Sequence, residues 1–221
     1  MTKRSNPTTV TTDNMETITE DQFVFLNKIM AEYEEAMLAL NSLGDHTVTF
    51  YGGSRVAIGS DNYKAIALIA EKFGQMGWGC VTGGGPGVMS AALEGVKKGG
   101  GKAISFMISI KGEPPFNQPD VAIRFDNFSA RKYALRQSDV FIYAPGGIGT
   151  LDELMENITL MNTRKMPIKS IFLFNKAFWA PYTAWFETLV YKEKLADKSF
   201  LDLIKVVDTP EEIFAALRLT K

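Results

Sequence analysis

The sequence predicts a three-layer α/β sandwich, with a central parallel sheet and helices on both faces. Short apolar stretches typical of buried strands alternate along the chain with amphipathic stretches typical of helices. This alternation favours βαβ units and a parallel sheet, and right-handed crossovers then place helices on both faces. The chain has 221 residues and neither a tandem repeat nor a low-complexity linker. We therefore predict one domain, at residues 21–221.

The first half of the domain supplies three strands and three helices. Apolar residues recur at helical spacing over 22–43, between a predicted N-cap at Asp21 and a stop at Gly44. The predicted strands that follow are short apolar runs bounded by glycine: 47–51, 80–82 and 102–110. The amphipathic helices between them are 62–76 and 88–97.

The second half repeats the alternation. Its predicted strands are again short and apolar: 121–125, 139–143, 169–174 and 203–207. The helices between and after them are 128–136, 151–161, 181–194 and 210–219. The last helix has the clearest start, because Thr209 is a good N-cap and Pro210 suits the first helical turn.

The composition limits the kinds of partner and of catalytic site that the protein can have. With 24 Lys and Arg against 25 Asp and Glu, the net charge is −1, which does not suit a nucleic-acid or anionic-membrane partner. The single cysteine, Cys80, excludes an internal disulfide and a CxxC site. The single histidine, His46, excludes a multi-His metal centre, and we expect it in an exposed polar loop. If the protein is an enzyme, its chemistry must then come mainly from carboxylates, Arg, Lys, hydroxyls and backbone amides, and we expect no metal or redox cofactor.

The beginning of the chain is predicted to be a disordered arm, residues 1–20, because it is polar and has no apolar stretch of signal-peptide type. No window approaches the roughly 18 apolar residues of a membrane helix. We therefore expect a cytoplasmic protein without a membrane partner, in which Cys80 is a small buried residue.

Three predicted strands end in glycine-rich turns, at 52–55, 83–87 and 146–150. In an open parallel sheet, ligands bind beyond the carboxyl ends of the strands. Glycine lets a backbone approach a ligand closely, and the free N–H groups at a helix N-terminus attract anions. One such turn could equally be a tight connection, but three at one edge favour a phosphate-bearing ligand.

The glycine patterns limit the kind of phosphate ligand. No GxxxxGK sequence followed by Ser or Thr is present, which excludes a P-loop. Residues 85–90 give only GxGxxS, and the strand at 102–110 carries no acidic residue to hold a ribose. A nicotinamide or flavin dinucleotide is therefore disfavoured, and a mononucleotide or sugar phosphate fits better.

The third turn leads directly to carboxylates. Glu153 and Glu156 lie one helical turn apart and face the same way. Thr150 and Glu153 also match a capping box, which leaves a structural alternative for Glu153. The helix N-terminus favours the ionised form of Glu153, and an anion beside a sugar can stabilise an oxocarbenium ion or activate water.

A short basic helix precedes the strand that leads into the third turn. It carries Arg131, Lys132 and Arg136. A solvated basic face would explain these cations, but Arg131 could also reach the phosphate end of the sheet and pair with substrate or with Glu153. Lys132 points elsewhere on the helix and is the weaker candidate.

Two motifs resemble those of a known family. Residues 81–89 resemble the GGGxGxM motif and residues 145–153 the PGGxGTxxE motif of the Rossmann-like proteins labelled "possible lysine decarboxylase". The similarity covers residues 47–174. It implies the activity of the Lonely Guy enzymes, which hydrolyse the N-glycosidic bond of nucleoside 5′-monophosphates. It does not imply pyridoxal phosphate, because no lysine has a setting suited to a Schiff base.

The resemblance also implies roles for particular residues. It assigns catalysis to Glu153 and Arg131, with Arg131 positioning the substrate and keeping Glu153 ionised. The residues that the resemblance implies for substrate or phosphate binding are Gly146, Gly147, Gly149, Thr150, Gly85, Gly87, Met89, Ser54, Arg55 and Lys132. The segment 131–145 is one residue shorter than in plant members, so Arg136 stays as an alternative to Arg131.

The resemblance leaves three questions open. Its branches include molybdenum-cofactor carriers, so a non-catalytic carrier of a phosphorylated ligand is the alternative to an enzyme. The base could be that of AMP, of a cytokinin ribotide or of another monophosphate. Members of the family are homodimers or larger homo-oligomers, and the helix at 22–43 could form such a contact or simply cover the sheet.

Overall fold

A computed structural model describes residues 18–108 and 119–219 of the chain. Its described strands form one sheet: β1 (Thr47–Tyr51), β2 (Gly79–Thr82), β3 (Ala103–Ile108), β4 (Val121–Phe125), β5 (Val140–Tyr143), β6 (Ser170–Phe174) and β7 (Ile204–Val207). The strand order is β4-β3-β2-β1-β5-β6-β7, and every pairing is parallel. The predicted Rossmann-like parallel sheet is therefore confirmed.

Helices alternate with the strands along the described chain. They are α1 (Glu20–Leu40), α2 (Asp61–Gln75), α3 (Val88–Lys98), α4 (Phe128–Leu135), α5 (Ile148–Asn162), α6 (Lys176–Glu187) and α7 (Pro210–Ala216). None of these helices has the length and apolar character that crossing a membrane requires. The fold is the predicted three-layer sandwich.

Each face of the sheet has its own apolar core. Alternate strand residues point to opposite faces, so that Tyr51 belongs to one core and Phe50 to the other. The core that contains Tyr51 packs against α1, α4, α5 and α6. The core that contains Phe50 packs against α2, α3 and α7, and it includes Cys80. Because both faces are covered, the central strands β1, β2, β5 and β6 are buried almost throughout rather than on alternate residues.

The chain changes direction across the sheet between β1 and β5. From β1 it proceeds outward through β2 and β3 to β4, and it then returns to the other side of β1 to build β5, β6 and β7. The turns that follow β1 and β5 therefore diverge and leave a crevice at their carboxyl ends. This topological switch point is where open α/β sheets bind ligands.

The start of α1 differs from the prediction. Its N-cap is Thr19 rather than Asp21, because the Thr19 side chain accepts a hydrogen bond from the Gln22 amide while the Gln22 side chain accepts one from the Thr19 amide. This reciprocal capping box outcompetes a lone Asp two residues later. Most of the predicted arm, residues 1–17, lies outside the described residues, as do the last two residues of the predicted strand at 102–110.

The prediction for α6 is also wrong at its start. Pro181 was expected in the first turn, but the helix begins at Lys176 and contains Pro181. Asn175 accounts for the earlier start: it adopts a left-handed conformation with φ 83° and accepts a hydrogen bond from the Phe178 amide at 3.0 Å. Trp179 is then fully buried and donates its indole N–H to the Phe174 carbonyl.

Candidate active site

The three glycine turns meet at the switch point. The Gly53 amide donates to the Pro145 carbonyl at 2.9 Å, and the Val88 amide donates to the Gly53 carbonyl at 3.2 Å. Gly87 has φ +68°, and a methyl group there would lie 2.3 Å from the Gly53 carbonyl oxygen. Only glycine allows this left-handed conformation and this close approach at once. The turns thus form one continuous backbone surface at the edge of the sheet.

The second turn is filled by the protein's own side chains. Met89 folds back over it, and its Sδ accepts a hydrogen bond from the Gly85 amide at 3.4 Å. A methyl group at Gly83 would lie 2.3 Å from Nη2 of Arg131 and 2.8 Å from Sδ of Met89. The amide of Gly85, a residue predicted to help shape the phosphate cleft, is therefore bonded to a side chain of the following helix, α3. The absence of a side chain at Gly83 makes room for Arg131.

The third turn is open instead. Methyl groups at Gly147 and Gly149 would have no protein atom within 4 Å, and neither glycine has a positive φ. Packing and backbone conformation therefore do not require glycine at these two positions. Both residues are exposed, and Ile148 between them is 82% exposed. A backbone kept bare at the start of a helix is suited to close approach by an external group.

The capping box that was the structural alternative for Thr150 and Glu153 is not formed. The helix α5 begins at Ile148 with Gly147 as its N-cap, and no described side chain caps it. Thr150 is therefore the third residue of the helix, and its buried side chain packs under Gly146. The first amides of α5 are left for water or a ligand, and Glu153 is free for another role.

Arg131 and Glu153 face each other beside the open turn. Nη1 of Arg131 lies 3.6 Å from Oε1 of Glu153, and the two side chains are only 12% and 15% exposed. Arg131 is held in place because its Nε donates to the Phe106 carbonyl of β3 at 2.7 Å. The predicted pairing thus brings an α4 cation and an α5 carboxylate together at the switch point.

The pKa of Glu153 is raised to about 7. Burial is the largest cause, because it disfavours the charged form, and the nearby Arg131 charge opposes it. Asp152 and Glu156 raise the pKa further, while Lys132 lowers it. The expectation that Arg131 and the helix N-terminus keep Glu153 ionised is therefore wrong: Glu153 is poised between its two forms near neutral pH.

The neighbouring cations, Lys132 of α4 and Arg136 at its C-cap, contact carboxylates of α5. Nζ of Lys132 lies 3.1 Å from Asp152 and 2.8 Å from Glu156. Arg136 pairs with Glu156 at 2.9 Å and lies over the ring of Tyr133. Lys132, predicted to contact phosphate, is thus held by carboxylates. Arg131 rather than Arg136 reaches Glu153, so the shortened segment does not turn Arg131 away.

A buried polar network beneath Glu153 was not predicted from the sequence. The rings of Tyr51 and Tyr143 stack with centroids 4.5 Å apart. Asn157 donates to the Tyr143 hydroxyl at 2.7 Å, and that hydroxyl donates to the Glu153 carbonyl at 3.2 Å. Burial raises the pKa of both tyrosines, so they stay neutral. The available signal was Asn157, a polar residue on the apolar stripe of its helix.

The remaining candidates lie at the margins of the site or away from it. Ser54 is half-buried and Arg55 exposed in the turn after β1. His46 is exposed, as expected, and stacks on Trp78. Cys80 is fully buried. Within residues 18–108 and 119–219, no group of three His, Cys, Asp or Glu side chains is arranged to hold a metal ion.

The fold is similar to that of several solved structures. A molybdenum cofactor binding protein from Rippkaea orientalis matches with a TM-score of 0.61 and 21% identity, over 79% of this chain and 96% of that one. The molybdenum cofactor carrier protein of Chlamydomonas reinhardtii matches with a TM-score of 0.58 and 20% identity, over 79% and 97% of the two chains. The structural genomics target TM1055 matches with a TM-score of 0.56 and 20% identity, over 80% and 100%.

The sequence itself matches a family model. No curated protein matches this chain, but the model described as "possible lysine decarboxylase" matches residues 89–217. The matched region contains both Arg131 and Glu153. The chain therefore belongs to the possible lysine decarboxylase family, the Lonely Guy family that its two glycine motifs resemble.

Proposed function

We propose that this protein hydrolyses the N-glycosidic bond of a nucleoside 5′-monophosphate, with purine bases as the first candidates, and releases the free base and ribose 5-phosphate. The observation that carries the proposal is the largely buried Arg131–Glu153 pair beside a helix N-terminus without a side-chain cap. A phosphate-binding surface and a carboxylate near a sugar are the two parts that this reaction needs.

The phosphate acts as a handle in this proposal. The exposed amides at Gly147 and Gly149 bind the 5′-phosphate, and the positive end of α5 adds to the attraction. Binding energy from this remote group then positions the ribose over the second turn. Glycine at 147 and 149 is explained by the close approach of the phosphate, since the fold itself does not demand it.

Glu153 transfers a proton from the attacking water to the departing base. As the bond between the anomeric carbon and the base nitrogen breaks, water attacks that carbon and gives its proton to Glu153. Glu153 then passes this proton to the departing nitrogen. A carboxyl with a pKa of about 7 can accept and return a proton near neutral pH. Arg131 orients Glu153 and limits its pKa rise, while Tyr143 and Asn157 fix the turn of α5 that carries it.

Lysine decarboxylation is not supported by the site. That chemistry would use pyridoxal phosphate bound to a lysine as a Schiff base. Lys132, the lysine that influences the pKa of Glu153, is held by Asp152 and Glu156. A lysine paired with two carboxylates keeps its proton and is a poor nucleophile. The residues present do not fit the cofactor.

A carrier function is the second candidate, favoured by the similarity to molybdenum cofactor binding and carrier proteins. A carrier would use the bare helix N-terminus to hold a phosphorylated ligand without breaking a bond. It would have no use for a carboxyl poised near neutral pH. The Arg131–Glu153 pair therefore favours the enzyme.

One assay separates the two candidates. The protein is incubated with a panel of nucleoside 5′-monophosphates, and free base and ribose 5-phosphate are measured by chromatography. Adenosine, which lacks the phosphate handle, is the matched control for AMP. We expect base release from at least one monophosphate and none from adenosine. Binding without release from every member of the panel would favour the carrier, and sedimentation of the same sample would test the implied homodimer.

A further inference from the structure

The helix that carries Arg131 is short, and apolar contacts account for only part of its placement. The eight residues of α4 bury Ala130, Ala134 and Leu135, and Tyr133 packs against Tyr33 of α1 with ring centroids 4.9 Å apart. Two alanines bury little apolar area and so contribute little to its placement. The side chain of its N-cap, Asn127, makes no capping hydrogen bond to the helix. Charged contacts at the two ends of α4 add to this packing, and they help to hold the position from which Arg131 meets Glu153 and the Phe106 carbonyl.

Glu32 supplies an anchor at the start of α4. This α1 residue is only 8% exposed, although it is a carboxylate. Its two oxygens accept hydrogen bonds from the backbone amides of Asp126 and Asn127, at 2.9 and 3.3 Å. A buried carboxylate is costly unless its oxygens are bonded, and here it also faces the positive end of the α4 dipole.

Lys169 supplies the opposite anchor at the end of α4. Its Nζ donates to the Arg136 and Gln137 carbonyls at 3.0 and 2.8 Å. These carbonyls are at the C-terminus of the helix, where a cation is favoured by the dipole. The anchor comes from the residue before β6, so both ends of α4 are held by charged side chains distant in the sequence.

We propose that Glu32 is a positioning residue. Together with Lys169 at the other end of the helix, it holds α4 so that Arg131 stays against Glu153. Neither residue touches the reacting atoms. Their effect on catalysis passes through the position of Arg131, and that part of the inference rests on the proposed function. Their effect on the ionisation of Glu153 does not depend on the reaction.

The decisive measurement is the pKa of the Glu153 carboxyl, followed by carbon NMR of the whole protein across pH and assigned by the signal lost in Glu153→Gln. Arg131 lowers this pKa, so moving Arg131 away raises it. Removing the negative charge of Glu32 would by itself lower it, through space. The two explanations therefore predict opposite signs for Glu32→Leu.

We expect Glu32→Leu to raise the pKa of Glu153 by about one unit, part of the 1–3 units that an adjacent opposite charge contributes. Glu32→Gln keeps one acceptor oxygen and should restore the pKa in part. Lys28→Met is the matched control, because Lys28 joins α1 to Asp126 through an exposed ion pair. It should leave the pKa unchanged.

Lys169→Met tests the other end of the helix, and we expect a smaller rise. Its control is Lys205→Met, because Lys205 lies over the Phe172 ring much as Lys169 lies over that of Phe141. Lys205 belongs to β7, at the opposite edge of the sheet from the β3 and β4 strands that α4 contacts. The lysine lost in the control is therefore similarly placed on a ring but remote from α4.

The kinetic arm uses the same variants with the monophosphate that wild type cleaves. Glu32→Leu should lower kcat about tenfold with a smaller change in KM, because misplaced catalytic groups cost rate. An unchanged or lowered pKa of Glu153 in folded Glu32→Leu would overturn the positioning role, whatever the kinetics. If wild type cleaves no monophosphate while the pKa still rises, the proposed function fails and the positioning role stands.

Discussion

The second and third glycine turns share a composition but differ in what surrounds them. In the second turn, a methyl group at Gly83 would collide with Arg131 and one at Gly87 with the Gly53 carbonyl. In the third, methyl groups at Gly147 and Gly149 would meet nothing. Glycines of the second turn thus serve the protein's own packing, while the later glycines of the third leave bare amides. A glycine motif becomes evidence for a ligand only where the fold itself does not need the glycine.

The largest effect should come from the carboxyl beside the open turn. Glu153→Gln removes the proton acceptor, and we expect turnover to fall by about 10²–10⁴-fold, the usual contribution of general acid–base catalysis. Nucleotide binding should survive, since the turn itself is unchanged. Glu187→Gln, at an exposed carboxylate at the end of α6, is the control for loss of an acidic side chain. Near-normal turnover by Glu153→Gln in the base-release assay would remove Glu153 from the mechanism.

The same carboxyl should make stability depend on pH. The folded pKa of about 7 lies above the usual glutamate value of 4.5, so the folded state binds more protons than the unfolded state between these pH values. Stability from this group is present below pH 4.5 and lost as pH rises through 7. Glu153→Gln should therefore gain stability relative to wild type over this window, by on the order of 3 kcal/mol. Urea unfolding at pH 5 and pH 8 would measure it, and a difference independent of pH would contradict the raised pKa.

Two alanine substitutions separate the turns by stability. Gly87→Ala forces a left-handed conformation on alanine and a clash with backbone, so we expect a loss of about 2–3 kcal/mol in the free energy of unfolding. Gly147→Ala should stay within about 0.5 kcal/mol of wild type, because its methyl group is unopposed. Chemical denaturation compares the pair. Equal losses would show that the open turn is constrained after all.

A further pair of alanine substitutions distinguishes the roles of the two turns by their effects on kcat and KM. Gly83→Ala pushes the flexible ends of Arg131 and Met89, so the fold should survive while kcat falls about tenfold. Gly149→Ala should instead raise KM for the monophosphate about tenfold, because its methyl group obstructs the phosphate rather than Arg131. Steady-state kinetics on both variants decides the matter. The reverse pattern would exchange the roles that we assign to the two turns.

Sequence patterns predicted most of the fold and the central pair of the site. The order of strands and helices, the strand at 47–51 with its bounds, and the pairing of Arg131 with Glu153 were all predictable. Local competition decided the exceptions. Thr19 caps α1 through a reciprocal capping box, so that α1 begins before the predicted N-cap at Asp21. Asn175 caps α6, so that α6 begins before Pro181. Helix ends depend on a few hydrogen bonds, which apolar periodicity does not report.

By itself, the sequence determined that the chain can form neither a multi-His metal centre nor an internal disulfide, and that glycine turns end three strands of a parallel sheet. These features follow from residue counts and periodicity. Only the tertiary structure decided which turn is open, why Lys132 is occupied, and that Glu153 has a pKa of about 7. Burial and contacts between distant segments determine these properties, because desolvation and charge act through space and not along the chain. Glu32 shows the same limit: an ordinary acidic residue on a long helix acquires meaning only beside the amides of Asp126 and Asn127.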